Sequence, residues 1–267
     1  MTRFSTDTAV VRIGPGRHAA TIDRGWWIER GPNGGYLAAI VLRAVLAEVA
    51  EPDRRPRSLT LHYLRPPVEG PCEVAVTVER AGRGLTTVSA RLVQDGRDCI
   101  LALAALGVDR PGPELHDHPA PSVPQPDALM APAPPAGAPD VPFRERYDVR
   151  PTLGTPPFTA GPAAETGGWI RLRDGSPVDD VLLAALTDAW PPAVFSRLEA
   201  PVGVPTVELT VHFRGVPPRD AGWCLVRFRT LSATAGYLEE TGEVWSQDGR
   251  LLAESRQLAV VATPDQP

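Results

Sequence analysis

The sequence predicts an α+β protein made of two fused copies of one unit, each a curved antiparallel sheet wrapped around a central helix. Three repeats carry that expectation. Leu59-Thr60-Leu61-His62-Tyr63 returns as Leu209-Thr210-Val211-His212-Phe213, and Gln94-Asp95-Gly96-Arg97 returns as Gln247-Asp248-Gly249-Arg250. Ahead of both, Gly35-Tyr36-Leu37-Ala38-Ala39-Ile40 corresponds to Val181-Leu182-Leu183-Ala184-Ala185-Leu186. Helix, strand and hairpin recur in the same order, so the chain contains an internal duplication.

The first unit occupies residues 1–110. Its helix is expected over residues 34–50, apolar on nearly every face, as a helix surrounded by a sheet requires. Strands are expected at Leu59 to Leu64, Cys72 to Glu79, Leu85 to Gln94 and Arg97 to Val108, with Asp95-Gly96 closing a hairpin, since Asp-Gly is a strong signal for a tight turn. Residues 111–140 hold ten prolines and no arginine. Such a stretch cannot bury enough apolar surface to fold alone and reads as a linker. The second unit, residues 141–267, opens its helix at Ser176-Pro177-Val178-Asp179, with serine as N-cap, proline at the first helical position and an acidic third position. That helix is expected to reach Trp190, where Pro191-Pro192 stops it. Strands follow at Val207 to Arg214, Trp223 to Ser232, Tyr237 to Ser246 and Leu251 to Ala262.

Composition narrows the function. The 267 residues are 43% hydrophobic and 22% charged, a globular balance, and the net charge of -5 gives no electrostatic footprint for nucleic acid or an anionic membrane. All 27 cationic residues are arginine, which removes Schiff-base lysines, phosphate-loop lysines and Ser-x-x-Lys nucleophiles. No Gly-x-Ser-x-Gly elbow occurs. Cys72, Cys99 and Cys224 are odd in number and far apart, so they fit buried hydrophobes in a reducing, cytoplasmic compartment better than disulfides or a metal site. The polar start and the short longest apolar run, Cys99 to Leu106, argue against a signal peptide or membrane insertion. His116 and His118 lack a third ligand, and no cofactor is implied.

The order of elements resembles the hotdog fold in its double form, and Gly31-Pro32-Asn33-Gly34-Gly35-Tyr36 at the start of the first helix resembles the Gly-Gly entry of the acyl-CoA thioesterase II-like family. The likeness covers nearly the whole chain except the linker. It implies a catalytic aspartate, threonine and glutamine, carried here by Asp188 in Thr187-Asp188-Ala189-Trp190, Thr206 in Pro205-Thr206-Val207-Glu208 and Gln257 in Ser255-Arg256-Gln257. It also implies an acyl-CoA substrate and a role in lipid metabolism.

The duplication gives an independent argument for the same three residues. Aligning the copies sets Asp188 opposite Leu42, Thr206 opposite Pro56 and Gln257 opposite Ala104. A scaffold needs no polar group where its sibling is apolar, so one site is expected, in the second copy. Asp188 would orient and deprotonate a water that Thr206 and Gln257 hold in line with the thioester carbonyl. Backbone amides near Gly34 and Gly35, with Asn33 as helix cap and polar contact, would bind the substrate and receive the developing charge on its oxygen. Two alternatives stand beside hydrolysis: a non-catalytic acyl-CoA or acyl-carrier binding protein, and a hotdog hydratase or dehydratase, which would want a histidine near Asp188 where Ala193 stands. His62 and His212, being duplicated, are expected to serve structure or the contact between copies. Acyl length, CoA against acyl carrier protein, and homo-oligomerisation through exposed sheet edges stay open at this level.

Overall fold

The chain runs twice through one order of elements: two strands, a helix, four strands. The computed structural model describes residues 1–132 and 141–262, so part of the proline-rich segment and the last five residues lie outside the described residues. A short helix α1 (Arg3–Asp7) leads into β1 (Val11–Gly14) and β2 (Arg17–Ile22), then helix α2 (Gly34–Val49) and strands β3 (Arg55–Tyr63), β4 (Gly70–Ala81), β5 (Leu85–Gln94) and β6 (Arg97–Gly107). The second pass comprises β7 (Tyr147–Gly154), β8 (Glu165–Leu172), α3 (Asp180–Leu186), β9 (Thr206–Phe213), β10 (Cys224–Thr234), β11 (Tyr237–Ser246) and β12 (Leu251–Val260).

The twelve strands of the described residues join one antiparallel sheet in the order β1-β2-β4-β5-β6-β3-β9-β12-β11-β10-β8-β7. Reading inward from either end gives the same succession of equivalent strands. At the centre β3 pairs with β9, and Thr60 lies directly opposite Thr210, the same position of the repeated motif, with their hydroxyls 3.0 Å apart. A local two-fold axis therefore passes between these two threonines. His62 and His212 flank it in the same ladder, opposite Glu208 and Ser58.

Helix α2 is apolar on every face over its first half because it is buried there: Gly35 to Leu42, Ala44 and Val45 are inaccessible, and it packs against β3, β4, β5 and α3. Each large side chain so buried contributes about 1.5–3 kcal/mol. The Asn33 side chain accepts from the Tyr36 amide and caps the helix, and Ala50 in the left-handed region ends it.

The second helix is shorter than the sequence suggests. Its N-cap is Asp179, whose carboxylate accepts from the Leu182 amide at 2.7 Å, and not Ser176. Val178 is held by the loop at Arg219 and Asp220, donating to Asp220 and accepting from Arg219, so Ser176-Pro177-Val178 stays outside the helix. At the other end the chain tightens into three-residue turns, Asp188 to Ala185 and Ala189 to Leu186, and the helix stops at Leu186 rather than at Trp190.

Both Asp-Gly hairpins form, in different geometries. Asp95 and Gly96 both take positive φ between paired Gln94 and Arg97, a two-residue loop. In the second copy Gly249 alone is left-handed, and Ser246 pairs with Arg250 across a loop one residue longer.

The described part of the proline-rich segment lies on the outer face of the second half. Trp169, Leu225 and Trp245 point away from the main core, where their neighbours Ile170, Val226 and Val244 point in. Ala120, Val123 and Leu129 pack on these side chains, and the Trp169 indole donates to the Pro124 carbonyl at 2.8 Å. His118 stacks on Trp245 and sits 2.9 Å from Glu243. The segment is a strap fastened across the sheet. The three cysteines are buried and free, as expected. Among the described residues no helix is long and apolar enough to cross a membrane.

Candidate active site

The N-terminus of α2 meets the C-terminus of α3, and glycine makes the approach possible. A Cβ on Gly35 would stand 2.4 Å from the Ala185 carbonyl oxygen, and one on Gly34 would stand 2.9 Å from Asp188 Oδ2. A larger residue at Gly35 forces the helices apart, and one at Gly34 displaces the Asp188 carboxylate and the Tyr63 ring.

Into this junction α3 delivers Asp188. Its Oδ2 accepts from the Gly35 amide at 2.9 Å and from Asn33 Nδ2 at 3.0 Å, while Asn33 Nδ2 also donates to the Asp188 carbonyl at 2.7 Å. Asn33 thus caps α2 with its oxygen and holds Asp188 with its nitrogen. The arrangement also explains why an acidic residue is tolerated at the end of α3: its charge lies at the positive end of α2.

Thr206 opens β9 and Gln257 lies on β12, with the Gln257 amide donating to the Thr206 hydroxyl. The ladders place both where the duplication argument expects. Leu59 pairs with Ala104 in the first half, as Leu209 pairs with Gln257 in the second, and Pro56 with Leu106 as Thr206 with Ala259. Gln257 also reaches the Asp188 carboxyl. Asp188, Thr206, Gln257, Asn33, Gly34 and Gly35 therefore come together at one end of the helix pair.

Burial pushes the Asp188 carboxyl up to about 6, against the lowering effect of hydrogen bonds from the Gly35 amide, Gln257, the Gly34 amide and Asn33. A carboxylate with that proton affinity is mostly ionised at neutral pH yet far more basic than a solvated aspartate. The structure differs from expectation in one respect. The Gly35 amide points at the Asp188 carboxylate, so the glycine pair holds the carboxylate in addition to any contact with a ligand.

Two further residues belong to this junction. Tyr63, at the end of β3, donates its hydroxyl to the Gly34 carbonyl at 2.9 Å, and burial, with the charges of Asp188 and Glu208, holds that hydroxyl protonated. Its counterpart is Phe213, so the strand repeat already carried the signal. Glu240, on β11, is buried directly across the ladder from Gln257. Matching the Asp-Gly hairpins sets Glu240 opposite polar Thr87, whereas the ladders set it opposite Val88, because the second hairpin is one residue longer. That slip hid it.

The chain resembles known proteins over most of its length. Residues 23–107 match the model of the acyl-CoA thioesterase N-terminal domain, and residues 121–261 that of the acyl-CoA thioesterase C-terminal domain. An uncharacterised protein of Mycobacterium tuberculosis is 29% identical over 92% of this chain and 93% of its own. Among solved structures, a conserved hotdog-fold protein from Alicyclobacillus acidocaldarius superposes with a TM-score of 0.90 at 30% identity, covering 99% of both chains. One named provisionally as a thioesterase II, from Thermobifida fusca, gives 0.85 at 33% identity over 98% of each. An acyl-CoA thioesterase II from Mycobacterium marinum gives 0.78 at 21% identity over 98% of this chain and 99% of its own, a likeness of fold.

Proposed function

We propose that this chain, which belongs to the acyl-CoA thioesterase family, hydrolyses acyl-CoA thioesters with a water activated at Asp188. The two halves are read as two fused hotdog units, residues 1–110 and 141–267, each a sheet curved around its helix, joined by 111–140. One observation carries the assignment: a basic carboxylate, a threonine hydroxyl and a glutamine amide converge on a glycine-opened helix N-terminus.

Water held by Thr206 and Gln257 faces Asp188, which takes its proton as the oxygen attacks the thioester carbon. The carbonyl oxygen lies at the N-terminus of α2, whose positive end favours the charge that develops. Collapse of the tetrahedral adduct breaks the carbon–sulfur bond, and the proton on Asp188 passes to the departing thiolate. Acid and thiol leave, and no covalent enzyme intermediate is needed. The free edges of the sheet, β1 and β7, are where a further copy would join.

The test is release of free thiol from short, medium, long and aromatic acyl-CoAs by the wild-type protein and by Asp188→Asn. The reading expects turnover of at least one class, lost in the variant. Tight acyl-CoA binding without turnover would replace it with the binding-protein alternative.

A further inference from the structure

One buried carboxyl beside the site has no part in the chemistry above. Glu240 is 6% exposed, and because it pairs with Gln257 across the β11–β12 ladder, the two side chains stand side by side on the same face. Its Oε2 accepts the Ala193 amide at 2.5 Å, with the Thr230 hydroxyl of β10 at 3.5 Å. Ala193 begins the short turn Ala193–Ser196, which the chain reaches directly from Asp188 through Trp190, itself tied to Thr166 by its indole at 2.8 Å. In the first half the same ladder position is Val88, fully buried. The sheet therefore packs well without a carboxyl here, and burying one costs free energy that packing alone does not return.

We propose that Glu240 is a positioning residue of this site: it fastens the loop that follows Asp188 to the strand beside Gln257, and its own ionisation responds to the charge of Asp188. The proposal rests on the thioester-hydrolysis reading for its kinetic consequence and on geometry for the fastening. The charged groups acting on Glu240 are Asp188 and, on its own strand, Glu239. Its ladder neighbour on β12, Gln257, and Thr230 on β10 are neutral, Arg229 of β10 is engaged by Glu243, and Glu165 of β8 stands opposite Arg229. Facing Asp188 are the protonated hydroxyls of Tyr63 on β3 and Tyr147 on β7. No cation among these neutralises the two carboxyls. Burial first, then the charge of Asp188, push Glu240 up to about 7 against the lowering effect of the Ala193 amide, so the two carboxyls titrate as a coupled pair.

Glu240→Gln and Glu240→Ala separate the charge from the hydrogen-bond acceptor. Glutamine keeps an acceptor for the Ala193 amide and removes the charge; Glu240, at about 7, is already protonated where Asp188, at about 6, titrates, so the acid limb of kcat/KM keeps its midpoint. Alanine also removes the acceptor, and turnover on the plateau falls further than in Glu240→Gln, by about tenfold. Equal plateaus in the two variants overturn the fastening. Carbon-13 NMR titration of the Glu240 carboxyl in wild type and Asp188→Asn reads the coupling of the pair without turnover: a lower midpoint is expected in the variant, and an unchanged one overturns the coupling. If the wild type hydrolyses no thioester, the hydrolysis reading fails while the titration still decides the coupling.

Discussion

The two ends of the helix pair are built from equivalent residues and have opposite characters. At one end Asn33 caps α2, Gly34 and Gly35 open it, and Asp188, Thr206, Gln257 and Tyr63 surround it. At the other, Asp179 caps α3 in the same way, followed by Asp180 and Val181, with Leu42, Pro56, Ala104 and Phe213 in the corresponding places. Asp180 is no free carboxylate: Arg55 holds it at 2.8 Å and also donates to the Gly215 carbonyl. Only the caps are common to both ends, so only the caps are what the fold demands. The remaining polarity at the first end has to be explained by chemistry, since the second shows that the places of Asp188, Thr206, Gln257 and Tyr63 can be filled by apolar side chains.

The comparison breaks most easily at the apolar end. Leu42→Asp copies the active residue into its mate position, where a buried carboxylate finds no glycine amide or Asn33. It is expected to cost about 3 kcal/mol or more in denaturant unfolding and to add no thiol release. A tolerated or active variant would show that the ends are interchangeable. Asp188→Asn tests the other side, with a fall in kcat/KM of about 100-fold or more. The same change should stabilise the protein. The folded-state carboxyl, at about 6, lies above its unfolded value, so the stability it contributes is fully present below the ordinary carboxylate range and lost as pH rises through 6. At pH 8 Asp188→Asn is therefore expected to be more stable than wild type, on the order of 2 kcal/mol, with the gap closing toward pH 4.

Smaller substitutions sharpen the contrast. Gly35→Ala puts a Cβ against the Ala185 carbonyl and is expected to cost about 1–3 kcal/mol together with activity, as the helix carrying Asp188 is pushed away. Tyr63→Phe makes this end resemble its mate at one position, removing a single hydrogen bond for about 1 kcal/mol of stability, measurable as a modest fall in Tm. Turnover by the wild-type enzyme should itself decline as pH falls below about 6, because protonated Asp188 cannot accept a proton from water.

Much of this was legible in the residues. Strands β5 and β11 fall where their alternation places them, and the remaining strands of the repeats shift only at their ends, because a period of two is a strong signal when one face is buried. Asp188, Thr206 and Gln257 could be found because polar residues opposite apolar ones stand out in a duplicated chain. The start of α3 could not, since the contact that keeps Val178 out of the helix comes from Arg219 and Asp220, distant in sequence. Glu240 was hidden by one extra hairpin residue, which displaces the whole of β11 by one position relative to the sequence match. The docking of the proline-rich strap was equally unreadable: composition shows that such a segment does not fold alone, and only the structure reveals Trp169 waiting for the carbonyl of Pro124.

The paired threonines at the centre, Thr60 and Thr210, have a consequence for inheritance. Two separate chains meeting there would carry every mutation twice, so a costly, destabilised junction at one end would appear at both. Joined into one gene, the ends mutate independently. One can hold a strained, proton-hungry carboxylate while the other drifts toward pure packing, and the protein carries the instability of a single reactive end.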